Sequence, residues 1–412
     1  MLDLPKFISQ HVTGRTESFF KPDLEKFDAE LAARIDGRSV LVIGGAGTIG
    51  ASFVKAILKF RPARLFVADT NENGLTELVR DLRSSLGYHI PPVFLTYPVD
   101  FGDAVFEKIL RREGPFEIVA NFAAHKHVRS EKDPYSIEAM LANNVFKAKH
   151  LLDLLAAHKP ERFFCVSTDK AANPVNVMGA SKKLMEQVIL SYASEIPVTT
   201  ARFANVAFSN GSLPTGFLER LMKRQPLSAP LDVERCFVSP EESGQLCLLT
   251  CMLGESGDIF FPKLDAVQDV RKFSDIGTAL LGTLGFEADI CASEQEAREK
   301  AARLNADSKS WPVYYFASDT SGEKACEEFF TEKEALDLGR FSSIGVVKHI
   351  DGATQSHPVN ITHPVTITQM LSELKAVLAK EEVTKEEIVA FLRRLVLDFQ
   401  HIETGKGLDS KM

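Results

Sequence analysis

Residues 39–43 (Ser-Val-Leu-Val-Ile) form an uninterrupted apolar run of strand length, followed by a glycine cluster and then by apolar positions at helical spacing over 51–60. A strand without polar alternation is one buried on both faces, as in a parallel sheet. The alternation repeats, predicting strands over 64–68, 92–97, 116–122, 162–166 and 198–203 and helices over 74–84, 104–112, 137–158 and 179–193. Strand–helix repetition of this kind predicts an α/β fold, a Rossmann-type doubly wound parallel sheet covered on both faces. Ahead of it, Leu24, Phe27, Leu31 and Ile35 share one helical face, predicting a helix over 22–35 that packs on the main body.

After Asn205 the clean alternation weakens into short strands, loops and helices, as in a smaller C-terminal substrate-binding lobe. The segments 369–380 and 384–399 read as two amphipathic helices of a tail, with surface packing or subunit contact as the expected use. The organisation expected is an N-terminal helical extension (1–37), a Rossmann domain (38–204), a partly interleaved lobe (205–345) and a C-terminal helical appendage (346–412).

With 412 residues, 45% hydrophobic and 25% charged, the chain has the balance of a soluble protein of one large or two moderate domains. The longest apolar stretches, such as 246–253, fall short of the roughly 20 residues a bilayer-crossing helix needs, so no membrane span is expected. The amino terminus lacks a basic segment followed by an apolar one, which makes the cytoplasm the expected location. A net charge of −8 argues against general nucleic-acid binding, so an anionic substrate would need local cations. Cys165, Cys236, Cys247, Cys251, Cys291 and Cys326 lack CxxC spacing and suit reduced thiols. Cys247 and Cys251 share a helical face without further ligands nearby, so core packing is expected there and no metal.

Between the first strand and the first helix stands Gly44-Gly-Ala-Gly47-Thr-Ile-Gly50. Glycines at Gly44, Gly47 and Gly50 permit the tight turn and close backbone approach that a dinucleotide pyrophosphate requires at a helix N-terminus. Asp69 ends the second strand, 19 residues beyond Gly50, where a carboxylate accepts from a ribose diol and repels a 2′-phosphate. That selects NAD over NADP; on its own, such an aspartate equally serves a turn or a helix cap. Asp100 is placed to meet the adenine amino group, and Thr48, Ile49, Phe101 and Ala123 complete the expected cofactor set.

Three further segments carry a likeness: Asn121-Phe-Ala-Ala-His-Lys-His-Val128, the stretch from Val166-Ser-Thr-Asp-Lys-Ala-Ala-Asn-Pro to Lys182, and Arg202-Phe-Ala-Asn-Val-Ala-Phe-Ser-Asn-Gly-Ser212. Together they resemble the nucleotide-sugar 4,6-dehydratases of the extended short-chain dehydrogenase/reductase superfamily, in particular those acting on UDP-N-acetylglucosamine. The likeness covers roughly residues 38–330, and Ser321-Gly-Glu-Lys324 resembles the family's nucleotide-contacting element. The resemblance implies bound NAD, a UDP-sugar substrate, a homo-oligomer and the removal of water across C5–C6 after oxidation at C4.

By that resemblance Asp169 donates the proton to the departing hydroxyl, Lys170 is the C5 base, and Thr168 binds or helps to deprotonate the C4 hydroxyl. An isolated Asp-Lys pair would instead read as a capped turn and a solvated lysine. The superfamily's usual tyrosine, four residues before its lysine, is Met178 here, which cannot shuttle a proton; Lys182 is left to hold the nicotinamide ribose. Lys126 is a rival base or sugar contact beside His127, and a buried Asn144 amide could brace the active-site loop. Asn205 would meet the diphosphate, with Arg235 and Lys324 as further cations and Glu323 on the uridine ribose. Asn210 stands where many relatives carry arginine. Two other functions stay open: a UDP-sugar 4-epimerase, and a non-catalytic dinucleotide-sensing protein. The choice between UDP and GDP is open as well.

Overall fold

The computed structural model describes residues 2–265, 267–318, 327–348 and 364–403. The six expected strands are β1 (Ser39–Ile43), β2 (Arg64–Asp69), β3 (Val93–Pro98), β4 (Ile118–Asn121), β5 (Arg162–Val166) and β6 (Val198–Ala201). Each is parallel to its neighbours among them. The later strands are β7 (Asn205–Val206), β8 (Leu227–Pro230), β9 (Glu234–Val238), β10 (Ile259–Pro262), β11 (Val270–Lys272), β12 (Glu287–Ile290), β13 (Ser310–Phe316), β14 (Leu336–Asp337) and β15 (Ile344–Val347).

The main sheet runs β14-β15-β10-β6-β5-β4-β1-β2-β3. Chain beyond residue 205 thus returns to it: β10 lies parallel to β6, while β15 and β14 add antiparallel edges. Strand order reverses at β1, with β2 and β3 on one side and β4 to β6 on the other. Such a reversal leaves a crevice at the carboxyl ends of the strands, where open α/β sheets take their ligands. Two small sheets, β11-β9-β7 and β12-β13-β8, build the lobe.

Burial explains the unbroken apolar run of β1. Val40 and Val42 enter one core with the helices Thr48–Leu58 and Pro240–Leu253, and Leu41 and Ile43 enter the other with Lys147–Ala156 and Val177–Leu190. The tail helices Pro364–Leu378 and Lys385–Leu395 bury Leu371, Leu374, Ile388 and Leu392 in that second core, at roughly 1.5–3 kcal/mol per leucine or isoleucine. At the other end of the chain, a helical turn Leu4–Phe7 and a π-helix Ile8–Thr13 place Phe7, Ile8 and Val12 in a third core with Phe208, Phe217 and Phe237 of the lobe.

One expected element is broken. The helix predicted over 137–158 is Pro134–Leu141, a π-helical stretch Ala142–Phe146, then Lys147–Ala156. Hydrophobic spacing does not reveal so small a change of winding. Among the described residues, no helix is long and apolar enough to cross a membrane.

Candidate active site

At the carboxyl ends of β1, β2 and β4 lies a cleft of about 600 Å³, lined by Gly44, Gly47, Thr48, Ile49, Gly50, Asp69, Asp100, Phe101, Ala123 and Lys126 among others. Gly44 has φ +74°, and a Cβ there would lie 2.5 Å from the Ala123 nitrogen; a Cβ on Gly50 would lie 2.3 Å from the Gly44 oxygen. Only glycine allows the helix Thr48–Leu58 to start so close beneath the strand end. Its N-cap, Gly47, provides no side-chain cap, so the positive end of the helix faces the cleft. In shape and polarity these residues fit a dinucleotide pyrophosphate.

Asp69 Oδ2 accepts from the Ala46 N–H (2.9 Å) and Oδ1 from the Asn71 N–H (2.9 Å). It therefore ties the glycine turn to the start of the next helix, the turn-aspartate role, while still lining the cleft. Asp100 accepts from Gly102 N–H (2.8 Å) and from the Lys147 ammonium. Burial pushes the Asp100 pKa up, but these two donors outweigh it and hold the carboxyl below its ordinary value. Lys147 is thus a cleft cation that sequence reasoning missed. Lys126 opens on the cleft and donates to the Asn210 carbonyl (2.9 Å); desolvation by the surrounding protein lowers its pKa. Asn210 N–H in turn donates to Thr48 Oγ1 (2.9 Å), folding its loop back over the glycine turn.

The π-helical stretch has a local purpose. Asn144 Oδ1 accepts from His125 N–H (2.8 Å), while Nδ2 donates to the His125 carbonyl (2.9 Å) and to Ser181 Oγ (3.0 Å). One buried amide thereby fixes the loop after β4 to the helix Val177–Leu190, as the sequence suggested, and π-helical insertions are common at such places. Asn144→Ala leaves the His125 N–H and carbonyl unpaired and should cost about 1–3 kcal/mol, measured as a fall in urea midpoint at unchanged slope.

β5 is the neighbour of β4, so the loop that follows it lies one strand away from the cleft. Thr168 Oγ1 donates to Asp169 Oδ1 (2.7 Å), and Lys170 Nζ reaches Asp169 Oδ1 and Oδ2 at 3.1 and 3.2 Å. Asp169 is buried at 4% exposure. The cap of this turn is Thr168, which accepts from Lys170 N–H, so Asp169 is not the capping residue and its carboxylate instead holds the Lys170 ammonium.

Lys182 and Met178 are both buried on the helix Val177–Leu190. The Lys182 ammonium donates to the Val166 carbonyl (2.6 Å) and contacts Met185 Sδ (3.2 Å), and it does not line the cleft. Desolvation lowers its pKa, and a buried ammonium takes the nearest carbonyl. Asn176 caps that helix through Gly179 N–H (2.7 Å), and Glu131 Oε2 accepts from Val177 N–H (2.5 Å). The tail reaches this same loop: Gln400 N–H donates to the Pro174 carbonyl (3.0 Å) and Ile402 N–H to that of Val175 (2.9 Å).

The remaining expected contacts divide. Arg202 is fully buried and bonded to Glu186 (3.0 and 2.9 Å), Glu334 (2.8 Å twice) and the Phe329 carbonyl (2.9 Å), so it is a structural hub. Asn205 Nδ2 donates to Glu327, whose other oxygen accepts from Cys236 N–H (2.7 Å); Arg235 donates to the Glu234 carbonyl (2.8 Å). His127 lies against Gly211, on the loop that carries Asn210. Asn205, Arg235 and His127 do not line the 600 Å³ cleft. Glu323 and Lys324 fall outside the described residues. Glu327 and Glu334 were missed, although Glu327 stands three residues after Lys324, and Glu186 was signalled by a carboxylate on a helix that is otherwise almost wholly buried.

Strand order, glycine turn and the Thr–Asp–Lys loop define a Rossmann-type protein of the extended short-chain dehydrogenase/reductase class. More narrowly, the chain belongs to the polysaccharide biosynthesis protein family, whose model matches residues 40–349. The match continues past Phe330, where the motifs legible by eye end, and takes in Glu334. The chain is 29% identical over 328 residues to the probable polysaccharide biosynthesis protein EpsC of Bacillus subtilis, covering 79% of this chain but 50% of that protein. It is 24% identical over 262 residues to a UDP-N-acetylglucosamine 4,6-dehydratase (inverting) of Campylobacter jejuni, covering 61% of this chain and 73% of that one. A UDP-glucose 4-epimerase of Rickettsia felis matches at 27% over 241 residues, 56% of this chain and 67% of the other. In fold it is similar to Pen from Bacillus thuringiensis, with TM-score 0.61 and 22% identity over 77% of this chain and 90% of that one.

Proposed function

We propose that this protein is an NAD-dependent dehydratase of a nucleotide-activated N-acetylhexosamine, converting UDP-N-acetylglucosamine to the 4-keto-6-deoxy sugar. The observation that carries the reading is the Thr168–Asp169–Lys170 group, in which the hydroxyl and the ammonium both lie within hydrogen-bond reach of the carboxylate between them, one strand from the cleft. Gly44, Gly47, Thr48, Ile49 and Gly50 would hold the NAD pyrophosphate, Asp69 the adenosine ribose, Asp100 and Phe101 the adenine, and Ala123 the nicotinamide side. Lys182 would exchange its bond to Val166 for one to the nicotinamide ribose. Bound there, the nicotinamide supplies a hydride acceptor that is restored within each turnover.

This chain's residues move the protons. Thr168 orients the C4 hydroxyl and passes its proton to Asp169; Lys170, as the neutral amine, takes the C5 proton and later returns it to that carbon. Asp169 then protonates the C6 oxygen as the C6–O bond breaks. The water lost is accounted for by the C4 hydroxyl proton and the C6 hydroxyl. Met178 has no proton to give, which leaves this work to the three neighbours. Lys126, His127, Asn205, Arg235, Glu323 and Lys324 would bind the nucleotide and sugar.

Incubation with UDP-N-acetylglucosamine should yield a product lighter by about 18 Da, whereas epimerisation leaves the mass unchanged. A product of unchanged mass would overturn dehydration, and failure to turn over any UDP- or GDP-sugar would favour dinucleotide sensing.

A further inference from the structure

Three pieces of the proposed site meet at one residue of the tail. The chain after β5 carries Thr168, Asp169 and Lys170 and runs on into the helix Val177–Leu190, which bears Lys182. The chain after β4 carries Lys126 and His127 and closes in a 3₁₀ turn, Val128–Glu131. Glu131 Oε2 accepts from Val177 N–H (2.5 Å), so this second stretch holds the first turn of that helix. Glu131 Oε1 lies 3.5 Å from His401 Nε2, and the two side chains are 6% and 7% exposed. Neither atom has a hydrogen-bond partner among the described residues. A buried polar atom without a bond is costly, so closing this short gap is favoured over any arrangement that parts the two. The backbone on either side of His401 is bonded to the β5 stretch, Gln400 N–H to the Pro174 carbonyl (3.0 Å) and Ile402 N–H to that of Val175 (2.9 Å). Phe399, buried in the second core, meets the His401 ring edge-on at 5.8 Å, and Glu403 pairs with Lys385 (2.5 Å). Residues 399–403 thus form a strap anchored at both ends, with His401 in the middle.

Resting on the dehydratase reading, we propose that His401 is a positioning residue of the site, which ties the loop after β4, the loop after β5 and the start of the Lys182 helix into one frame. Its side chain faces Glu131 on the first, its neighbouring amides hold Pro174 and Val175 on the second, and Glu131 passes the constraint to Val177 on the third. Lys126, the Thr168–Asp169–Lys170 group and Lys182 stand on these three pieces, and reacting groups displaced by about 1 Å can lose about 10²-fold in rate. The strap lies beyond residues 40–349, the region matched by the family model, so the frame is completed by a part of this chain outside that match.

The test has two arms. The first is hydrogen exchange of the folded protein, which needs no turnover. His401→Phe keeps a ring against Phe399 but has no polar atom for Glu131, and Ile402→Pro removes the N–H given to Val175. Each should speed exchange over residues 171–177 by about 10-fold and leave residues 44–50, in the glycine turn, as in wild type. Unchanged exchange over 171–177, or an equal rise over 44–50, overturns the proposal. The second arm is kinetics with UDP-N-acetylglucosamine. His401→Phe should lower kcat by about 10- to 100-fold with KM changed by less than about threefold, because His401 would touch no substrate. His401→Gln, whose amide nitrogen can stand in for Nε2 and donate to Glu131, should recover kcat to within about threefold of wild type. Affinity for ADP, the probe of the glycine turn and Asp69, should be the same in all of them. Wild-type kcat in His401→Phe, or an equal loss in His401→Gln, overturns the polar tie. If circular dichroism shows His401→Phe unfolded, Ile402→Pro is read instead, and unchanged exchange over 171–177 in it overturns the proposal. Absence of dehydration in the wild type would fail the functional reading alone, because the exchange arm still reports on the strap.

Discussion

Asp169→Asn should lower kcat for water loss by about 10²- to 10⁴-fold while the protein stays folded. The substitution keeps the size of the side chain and an oxygen for Thr168 Oγ1, now 2.7 Å from the carboxylate. It removes the proposed proton donor for the departing hydroxyl and the negative charge that faces Lys170 at 3.1 Å. Lys170→Ala should be comparably severe, and the double variant little worse than either, because residues that act as one unit are not additive. Circular dichroism separates this from unfolding. Wild-type kcat in a folded Asp169→Asn protein would take Asp169 out of the chemistry.

The largest expected effect on stability is at Arg202. Arg202→Met should cost about 3–5 kcal/mol, read as a lowered denaturant midpoint, because it leaves the buried Glu186 charge with only the more distant Lys183 ammonium, 3.7 Å away, in place of a bidentate guanidinium. Glu186 is 1% exposed and also accepts from Ser167 (2.6 Å), so the damage would reach the start of the loop that carries Thr168, Asp169 and Lys170. The pH dependence should change sign. Burial would raise the Glu334 pKa, but Arg202 outweighs it and holds the carboxyl near 2, against an ordinary 4.5. A folded pKa below the unfolded one contributes stability that is complete above about pH 4.5 and is lost as pH falls toward about 2. Without the guanidinium, buried Glu186 binds a proton more readily folded than unfolded, so Arg202→Met should regain stability on mild acidification where the wild type loses it. Parallel pH–stability curves for the two proteins would refute this account.

The elements that could be read from the chain are those whose cause is local. β1 was legible because four successive apolar residues, Val40 to Ile43, ahead of a glycine cluster read as a strand buried on both faces, and Gly44-Gly-Ala-Gly47-Thr-Ile-Gly50 because only glycine at Gly44 and Gly50 tolerates that turn. The Thr168–Asp169–Lys170 group was legible because its members adjoin in sequence. Asn144 was half legible: a polar residue on an apolar helix has to find a partner, but the π-helical winding that aims it at His125 and Ser181 leaves no mark on hydrophobic spacing.

What only the tertiary structure decided is which distant segments meet. Arg202 opens a segment that carries the family likeness, yet its partners lie 16 and 132 residues away, and their burial converts a surface-type residue into a hub. Lys182 turns to the Val166 carbonyl because a desolvated ammonium binds the acceptor that packing leaves beside it. Glu327 meets Asn205 and Cys236, and the tail pairs with residues 174 and 175, for the same reason. Sequence fixes a side chain's chemistry and its local backbone, whereas its charge state and partner follow from the low-dielectric surroundings that folding alone assembles.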